Sequence, residues 1–257
     1  MNHGHTPGNL QDIARTALAC LDLTSLNDAD TASDIDTLCQ RAQGPFGAVA
    51  AVCVWPRFVA QARGLLPAHI AVAAVANFPD GSADLARAVR DTQAIVQAGG
   101  DEVDVVIPYR NLDAAPALLA AVRQACAGLR LKVILETGVL TDDRLITRAC
   151  HIALDAGADF LKTSTGKVPT NATPHAATLL LQAIAADPQA AGRVGFKPAG
   201  GVRTVADAAL YIALVQQHLG AAAVNAQRFR IGASGLLTDI EALLGGAPAT
   251  NTAPAVY

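Results

Sequence analysis

Eight short β-branched or apolar segments, each followed by a longer segment of helical periodicity, recur along this chain of 257 residues. Repeated strand–helix units connect parallel strands by right-handed crossovers, and parallel strands are buried on both faces. Eight such units close into a barrel of about 250 residues. We therefore predict the α/β class and a single-domain (β/α)8 TIM barrel, with strands at 19–23, 48–54, 70–75, 102–107, 131–136, 159–163, 194–198 and 229–231.

The ends of the chain differ from this repeat. We predict a helical extension before the first strand and a barrel catalytic domain over residues 1–245. From 246 to 257 the chain is rich in Gly, Pro and Ala and cannot continue a helix. We expect these last residues, including Tyr257, to form a mobile tail.

An open, doubly wound sheet is the alternative architecture for alternating strands and helices. Such a sheet normally carries a nucleotide-binding loop early in the chain, and no G-x-G-x-x-G follows the first predicted strands. Gly166-Lys167 is no P-loop either, since position 161 is Leu. The barrel is the favoured prediction.

Composition excludes several classes of partner. The chain has 19 basic and 22 acidic residues, a formal charge of −3, without a Lys/Arg block, which argues against nucleic acid or an anionic membrane. The longest apolar run, 48–55, is far shorter than the roughly 20 residues of a membrane span. The N-terminus shows no secretion signal, so we expect a cytoplasmic protein.

Cysteine and histidine spacing indicates neither a disulfide scaffold nor a metal site. The five cysteines are odd in number and contain no C-x-x-C, and the six histidines lack paired ligand spacing. We expect buried free thiols and no bound metal. The cysteines are Cys20, Cys39, Cys53, Cys126 and Cys150.

Lysine is rare in this chain, whereas arginine supplies most of the cations. Of the four lysines, Lys132 opens a predicted strand and is expected to be structural. Lys162, Lys167 and Lys197 lie at or just beyond the ends of the sixth and seventh predicted strands. In a barrel these strand ends face one catalytic mouth.

Two of these lysines interrupt apolar strands, where an unpaired charge is costly. The simplest interpretation is an ion-paired or snorkelling side chain. Two ammonium groups in one mouth repel each other, however, and burial adds to the effect, so at least one lysine pKa should be low. A neutral amine attacks carbonyl carbon, which a guanidinium cannot do. The placement of Lys162 and Lys197 therefore predicts that one of them attacks a carbonyl group of the substrate and forms an imine.

Carboxylates near the same strand ends are candidate acid/base partners. Asp101, Glu102 and Asp104 begin the fourth predicted strand, and alternation places Glu102 and Asp104 on one face. An aspartate at a strand start is equally often a turn residue. Glu136 ends the fifth predicted strand and is a further carboxylate at the mouth.

Glycine-rich turns follow the seventh and eighth predicted strands, at 198–203 and 231–235. Barrels commonly bind phosphate between these two loops, where backbone N–H groups and a helix N-terminus face the anion. Gly166-Lys167 adds a third set of donors. We expect a phosphorylated ligand.

Longer strings give the chain a resemblance to the deoxyribose-phosphate aldolase family of class I, Schiff-base aldolases. They cover nearly the whole chain and are Leu21-Asp-Leu-Thr24, Cys53-Val-Trp-Pro-Arg57-Phe, Asn77-Phe-Pro, Asp101-Glu-Val-Asp-Val-Val, Glu136-Thr-Gly, Lys162-Thr-Ser-Thr-Gly-Lys167, Gly195-Phe-Lys197-Pro-Ala-Gly-Gly-Val-Arg203 and the terminal Tyr257. The strings at Lys162 and Lys197 are highly specific.

The resemblance implies reversible cleavage of 2-deoxy-D-ribose 5-phosphate to D-glyceraldehyde 3-phosphate and acetaldehyde, without metal or cofactor. It implies that Lys162 forms the Schiff base, that Lys197 lowers the pKa of Lys162 and that Asp101 relays protons. It also implies that Tyr257 assists proton transfer at C2 of the substrate. The implied substrate contacts are Asp22, Thr24 and Thr165 to sugar hydroxyls, and Gly166, Lys167, Gly200, Gly201, Gly232 and Ser234 to phosphate. For assembly we expect a homodimer.

Three positions depart from the family pattern. Ser234-Gly235 stands where two serines are usual, Trp55 where tyrosine is usual and Asp80 where histidine is frequent. We expect none of them to change the reaction. Two rival interpretations stay open: another imine-forming or transaldolase-like barrel, and a phosphosugar-binding barrel without catalysis.

Overall fold

Eight parallel strands form the centre of the molecule in a computed structural model, which describes residues 9–246. Neighbouring strands pair in chain order and the first pairs with the last. Parallel bridges from Phe196 to Phe229 and from Ala199 to Gly232 close the ring. The strands are β1 (Leu21–Thr24), β2 (Ala51–Val54), β3 (Ala71–Ala76), β4 (Glu102–Val106), β5 (Arg130–Ile134), β6 (Phe160–Lys162), β7 (Gly195–Lys197) and β8 (Ile231–Ala233).

Helices follow each strand and surround the ring, so the predicted (β/α)8 barrel is confirmed. An additional helix, α1 (Leu10–Ala19), precedes β1 and packs against the last two helices, as predicted for an N-terminal extension. The remaining helices are α2 (Ala32–Arg41), α3 (Val59–Leu65), α4 (Leu85–Gln97), α5 (Ala115–Ala125), α6 (Asp143–Asp155), α7 (Pro174–Ala186), α8 (Val205–Leu219) and α9 (Leu236–Leu244).

Local sequence fixes where several helices begin. Thr204 caps α8 by accepting a hydrogen bond from the Asp207 backbone N–H, and the Asp207 carboxylate accepts one from the Thr204 N–H. This capping box satisfies two otherwise unpaired donors. Thr173 caps α7 with its side chain alone, which accepts a hydrogen bond from the Ala176 backbone N–H, and Pro174 stands in the first turn.

The two faces of the strands differ in chemistry. Val103 and Val105 of β4 are fully buried among apolar residues, whereas the alternate residues Glu102 and Asp104 contact charged groups across the barrel interior. The barrel therefore has an apolar outer core and an inner cluster of charges. Such a cluster is tolerated only where every charge is paired.

Two expectations concern the end of the chain. Helix α9 ends at Leu244, next to the predicted barrel boundary. The predicted tail spans 246–257, and all of it beyond residue 246, including Tyr257, lies outside the described residues, so the division into a barrel and a mobile tail stays a prediction. No helix within residues 9–246 is long and apolar enough to cross a membrane.

Candidate active site

A cavity of about 490 Å³ opens at the carboxyl end of the strands. Its walls come from the loops that follow β1, β6, β7 and β8, and Lys162 is the charged side chain at its base. The lining residues are Thr24, Ser25, Leu26, Asn27, Lys162, Thr165, Gly166, Lys167, Pro169, Asn171, Ala172, Ala199, Gly200, Gly201, Val202, Arg203, Gly232, Ala233, Ser234 and Gly235.

Lys162 is the last residue of β6 and is only 3% exposed. Its Nζ donates to Asp104 Oδ2 at 2.7 Å. Because it is nearly buried and yet borders the cavity, this amine can meet a small ligand while being shielded from bulk water.

Lys197 lies beside Lys162, since the two residues are register partners of the adjacent strands β6 and β7. Lys197 is fully buried and does not line the cavity. Its Nζ donates to Asp104 Oδ2 at 2.8 Å and also to Asp22. One carboxylate oxygen, Asp104 Oδ2, is thus shared by Lys162 and Lys197.

The ion pairs continue toward the amino end of the barrel. Lys132 Nζ contacts Asp104 Oδ1 at 2.8 Å, Asp22 Oδ2 at 3.2 Å and Glu102. Arg230 contacts both Asp22 and Glu102. We call the seven buried residues of this network the charge ladder: Lys162, Lys197, Lys132, Arg230, Asp22, Glu102 and Asp104.

The members of the charge ladder differ in proton affinity. Burial lowers the pKa of Lys162, and the neighbouring Lys197 ammonium lowers it further, against the opposing effect of Asp104. Burial also disfavours charge on Lys197, but Asp104 and Asp22 raise its pKa above the ordinary value. Lys162 is therefore the member suited to be a free amine, and Lys197 a permanent cation.

The structure corrects the expectation for Asp101. This residue precedes β4 at the amino end of the barrel, and its side chain is 45% exposed. Its Oδ2 accepts hydrogen bonds from Arg63 Nη1 and from the Val72 backbone N–H, each at 2.8 Å. The amino end of the barrel is opposite the mouth where Lys162 lies, so Asp101 cannot relay protons for Lys162.

Asp104 occupies the position that sequence reasoning gave to Asp101. It lies two residues into β4, on the inward face, and contacts Lys162, Lys197 and Lys132. The lysines lower the pKa of Asp104 well below its ordinary value despite its burial. The alternation of β4 was the signal for Asp104, while the motif resemblance selected the wrong aspartate of the same string.

Asp22 was expected to contact a sugar hydroxyl, and the structure shows it in buried ion pairs instead. Its carboxylate is fully buried and contacts Lys197, Lys132 and Arg230, and it does not line the cavity. The structure does not support the expectation that Asp22 touches a sugar hydroxyl, because Lys197 and Lys132 occupy its Oδ2 and Arg230 its Oδ1. Thr24 does line the cavity, and its Oγ1 donates to the Asp22 backbone oxygen at 2.9 Å.

The structure brings all six residues expected to contact phosphate to the cavity wall. Gly166, Gly200 and Gly201 have φ values of 83°, 80° and 86°, which expose backbone amides in turns. Lys167 Nζ donates to the Leu26 backbone oxygen at 2.7 Å. Arg203, the last residue of the 198–203 turn, and Asn171 also line this wall and were not among the expected contacts.

Glu136 holds one of these loops in place. It is fully buried, has a φ of 56°, and accepts hydrogen bonds from the Thr165 hydroxyl at 2.6 Å and from the Thr165 backbone N–H at 3.2 Å. Burial raises the pKa of Glu136, although these hydrogen bonds oppose the shift. Glu136 thus orients the 163–167 loop.

The departures from the family pattern have distinct positions. Trp55 donates its indole N–H to the Asn27 backbone oxygen at 3.0 Å, and Asp80 pairs with Arg87 at 2.8 Å. Neither lines the cavity. Gly235 does, and a Cβ added there would meet no atom within 4 Å, so a serine would fit but is not needed to fill space.

Comparisons with known proteins identify the family of this chain. A profile described as DeoC/LacD family aldolase matches residues 16–239. A deoxyribose-phosphate aldolase from Agrobacterium fabrum is 49% identical over 248 residues, covering 93% of this chain and 95% of the relative.

Solved structures of related proteins show the same fold. One from Toxoplasma gondii, assigned as a deoxyribose-phosphate aldolase in its apo form, has a TM-score of 0.83 at 26% identity and covers 94% of this chain and 99% of its own. The tetrameric deoxyribose phosphate aldolase of Aeropyrum pernix has a TM-score of 0.72 at 27% identity and covers 92% and 94%.

The fold and the site together define a barrel aldolase, a lyase of carbon–carbon bonds. More specifically, the chain belongs to the DeoC/LacD family of aldolases.

Proposed function

We propose that this enzyme cleaves 2-deoxy-D-ribose 5-phosphate reversibly into D-glyceraldehyde 3-phosphate and acetaldehyde through a Schiff base on Lys162. The observation that carries the proposal is the position of Lys162, which is nearly buried, beside a cationic lysine, at the base of a cavity walled by glycine loops. The Agrobacterium relative, with nearly half its residues identical, supports the same activity.

The first step is attack of the neutral Lys162 amine on the aldehyde carbon C1. A C–N bond forms, the carbonyl π electrons go to oxygen, and the resulting carbinolamine loses water to give a protonated imine. Burial and the neighbouring Lys197 lower the pKa of Lys162, which favours the unprotonated amine that this step needs. The positive imine then attracts electrons from the neighbouring carbon–carbon bond.

The second step breaks the bond between C2 and C3. The C3 hydroxyl proton passes through a water to the Asp104 carboxylate, which Lys197 holds in place, as the C2–C3 electrons move toward the imine nitrogen. D-glyceraldehyde 3-phosphate leaves and an enamine remains on Lys162. Protonation at C2 and hydrolysis release acetaldehyde and restore the free amine. Tyr257 stays a prediction for the C2 proton donor, since it lies outside the described residues.

The glycine loops bind the phosphate and thereby place the aldehyde over Lys162. Gly200, Gly201, Gly232 and Ser234 follow β7 and β8, and Lys167 follows β6, so cation and backbone donors surround one end of the cavity. Binding energy from the phosphate is used to position a distant bond. Non-phosphorylated 2-deoxy-D-ribose should consequently react more slowly.

Trapping with borohydride tests this proposal. Reduction in the presence of 2-deoxy-D-ribose 5-phosphate should add a stable adduct on Lys162, identified by peptide mass mapping, with acetaldehyde found among the products. An adduct on another lysine would refute the assignment of Lys162. Activity with a dihydroxyacetone donor instead would favour another imine-forming aldolase, and ligand-induced stabilisation without any adduct would favour a phosphosugar-binding barrel.

The substitution Gly200→Ala should impair use of the phosphate. Its φ is 80°, and a Cβ there would lie 2.6 Å from Asn171 Cβ, so the loop must shift. We expect kcat/KM for the phosphorylated substrate to fall by about tenfold or more, while that for 2-deoxy-D-ribose changes by less than about threefold. Steady-state kinetics with both sugars measures the difference.

Gly192→Ala is the matched control for Gly200→Ala, because a Cβ at Gly192 would meet nothing within 4 Å. Its kinetics should equal those of the unchanged enzyme with both sugars. An equal loss of kcat/KM for both sugars in Gly200→Ala would contradict a role in binding phosphate.

We further propose a cytoplasmic location and keep the homodimer as the expected assembly. The Aeropyrum neighbour is described as a tetramer, so other assemblies occur among structural relatives. Sedimentation equilibrium of the purified chain distinguishes a dimer from a tetramer or monomer.

A further inference from the structure

Arg230 lies at the far end of the charge ladder from Lys162. It directly precedes β8 and is 3% exposed. Its guanidinium donates to Asp22 Oδ1 at 2.6 Å and to Glu102 Oε1 at 2.8 Å. It lines a second cavity at the amino end of the barrel, together with Glu102 and Arg130, and not the cavity at the mouth. Arg230 therefore has no access to the substrate.

An unbroken series of ion pairs nevertheless connects Arg230 to Lys162. Arg230 pairs with Asp22, Asp22 with Lys197, Lys197 with Asp104, and Asp104 with Lys162. All of these side chains are at least nine-tenths buried. Solvent screening is weak along such a path, so a change of charge at Arg230 alters the electrostatic potential at Lys162.

The charge balance of the ladder gives this connection a direction. Its cations are Lys132, Lys197, Arg230 and Lys162, and its carboxylates are Asp22, Glu102 and Asp104. Four cations face three anions, so the network is neutral when Lys162 alone has lost its proton. Removing one further cation would leave an excess of negative charge, which a proton on Lys162 would neutralise.

We propose that Arg230 is a positioning residue whose buried charge, acting through Asp22 and Lys197, keeps Lys162 unprotonated at neutral pH. The inference rests on the proposed function, in which Lys162 is the nucleophile. It extends the machinery of that function to the amino end of the barrel, where the negative charge of Glu102 has the opposite effect and favours a proton on Lys162.

Other titratable groups face the two ends of this path, and apart from Glu102 the test leaves them unchanged. Around Lys162 they are Asp104 and Lys197, with Cys53 and Glu136 acting over longer distances. Around Arg230 they are Asp22 and Glu102 in direct contact, with Lys132 on the same carboxylates and Cys20 nearby. Arg130 pairs with Glu102 from the solvent side.

The test compares Arg230→Met, Glu102→Gln and the double variant in the full chain. The readout is the pH dependence of the initial rate of borohydride-trapped imine formation with 2-deoxy-D-ribose 5-phosphate, which rises as Lys162 loses its proton. In Arg230→Met the rising limb should move to higher pH by roughly one unit. In Glu102→Gln it should move to lower pH, and in the double variant it should return close to its original position.

Two further variants separate charge from structure. Arg230→Lys keeps the charge and should give most of the original pH profile. Arg193→Met removes a cation whose side chain is half exposed and pairs with Asp159, and it should leave the pH profile unchanged. Circular dichroism and thermal unfolding identify any variant that has lost its fold.

The outcomes are distinguishable from a failure of the proposed function. If no variant, nor the unchanged enzyme, forms an adduct on Lys162, the proposed function fails. If Lys162 is trapped but the folded variants share the same rising limb, or Arg230→Met and Glu102→Gln shift it in the same direction, the inference about Arg230 is wrong.

Discussion

The substitution Lys162→Arg is expected to abolish turnover, with kcat falling by about 10⁴-fold or more. Arginine can still donate a hydrogen bond to Asp104, but a guanidinium stays protonated and cannot attack an aldehyde. Steady-state assays in the cleavage direction measure the loss. Borohydride with 2-deoxy-D-ribose 5-phosphate should leave no adduct on the protein.

Lys167→Arg is the matched control, because Lys167 lines the same cavity and is the exposed lysine of the phosphate loop. We expect this variant to keep its adduct on Lys162 and to lose mainly substrate affinity. Turnover by Lys162→Arg within tenfold of the unchanged enzyme would contradict imine catalysis by Lys162.

The second large effect is expected for Asp104→Asn. An amide keeps the shape of the side chain, but it cannot accept the C3 hydroxyl proton or balance Lys162 and Lys197. Loss of an acid/base group typically costs about 10²- to 10⁴-fold in rate. We expect a loss of this size in kcat/KM, measured by the release of acetaldehyde.

Asp101→Asn is the control for Asp104→Asn. Comparing the two variants shows which aspartate of the 101–106 string takes part in proton transfer. Asp101, whose side chain is 45% exposed, pairs with Arg63 at the amino end of the barrel, so its loss should reduce the free energy of unfolding by about 1 kcal/mol and leave kcat/KM nearly unchanged. Both variants are assayed below their unfolding temperatures. A loss of activity in Asp101→Asn that exceeds the loss in Asp104→Asn would contradict the assignment of Asp104.

The fold could be predicted from the sequence because its signals are local. Alternating apolar segments, caps such as Thr173 and Thr204, and the glycine at 220 define strands and helices within windows of a few residues. Right-handed crossovers then leave few arrangements for eight units. The boundaries were less accurate: the last strand spans Ile231–Ala233 rather than 229–231.

The lysines of the site could also be found from the sequence. A lysine inside an apolar strand is expensive unless it is paired or used, and Lys162 and Lys197 both stand in such strands. The register of β6 with β7 brings them side by side, as strand ends in one barrel mouth require. Glycine at strand ends similarly predicted the loops that line the cavity.

The charge ladder could not be predicted, since its contacts join residues far apart in the chain. Arg230 and Glu102 are separated by 128 positions, and nothing in the local sequence of either indicates the other. Asp101 and Asp104 illustrate the same limit, because only the start of β4 decides which aspartate reaches the lysines. A motif gives the residues but not their depth in the barrel.

The central claim is that Lys162 is an uncharged amine in the folded enzyme near neutral pH. The chain has four lysines, so nitrogen NMR of ¹⁵N-lysine-labelled protein can follow every Nζ during a pH titration. We predict one signal that titrates well below the ordinary lysine pKa of about 10.4 and that is missing in Lys162→Arg. A spectrum in which no Nζ titrates low, or in which the low-titrating signal persists in Lys162→Arg, would contradict the account.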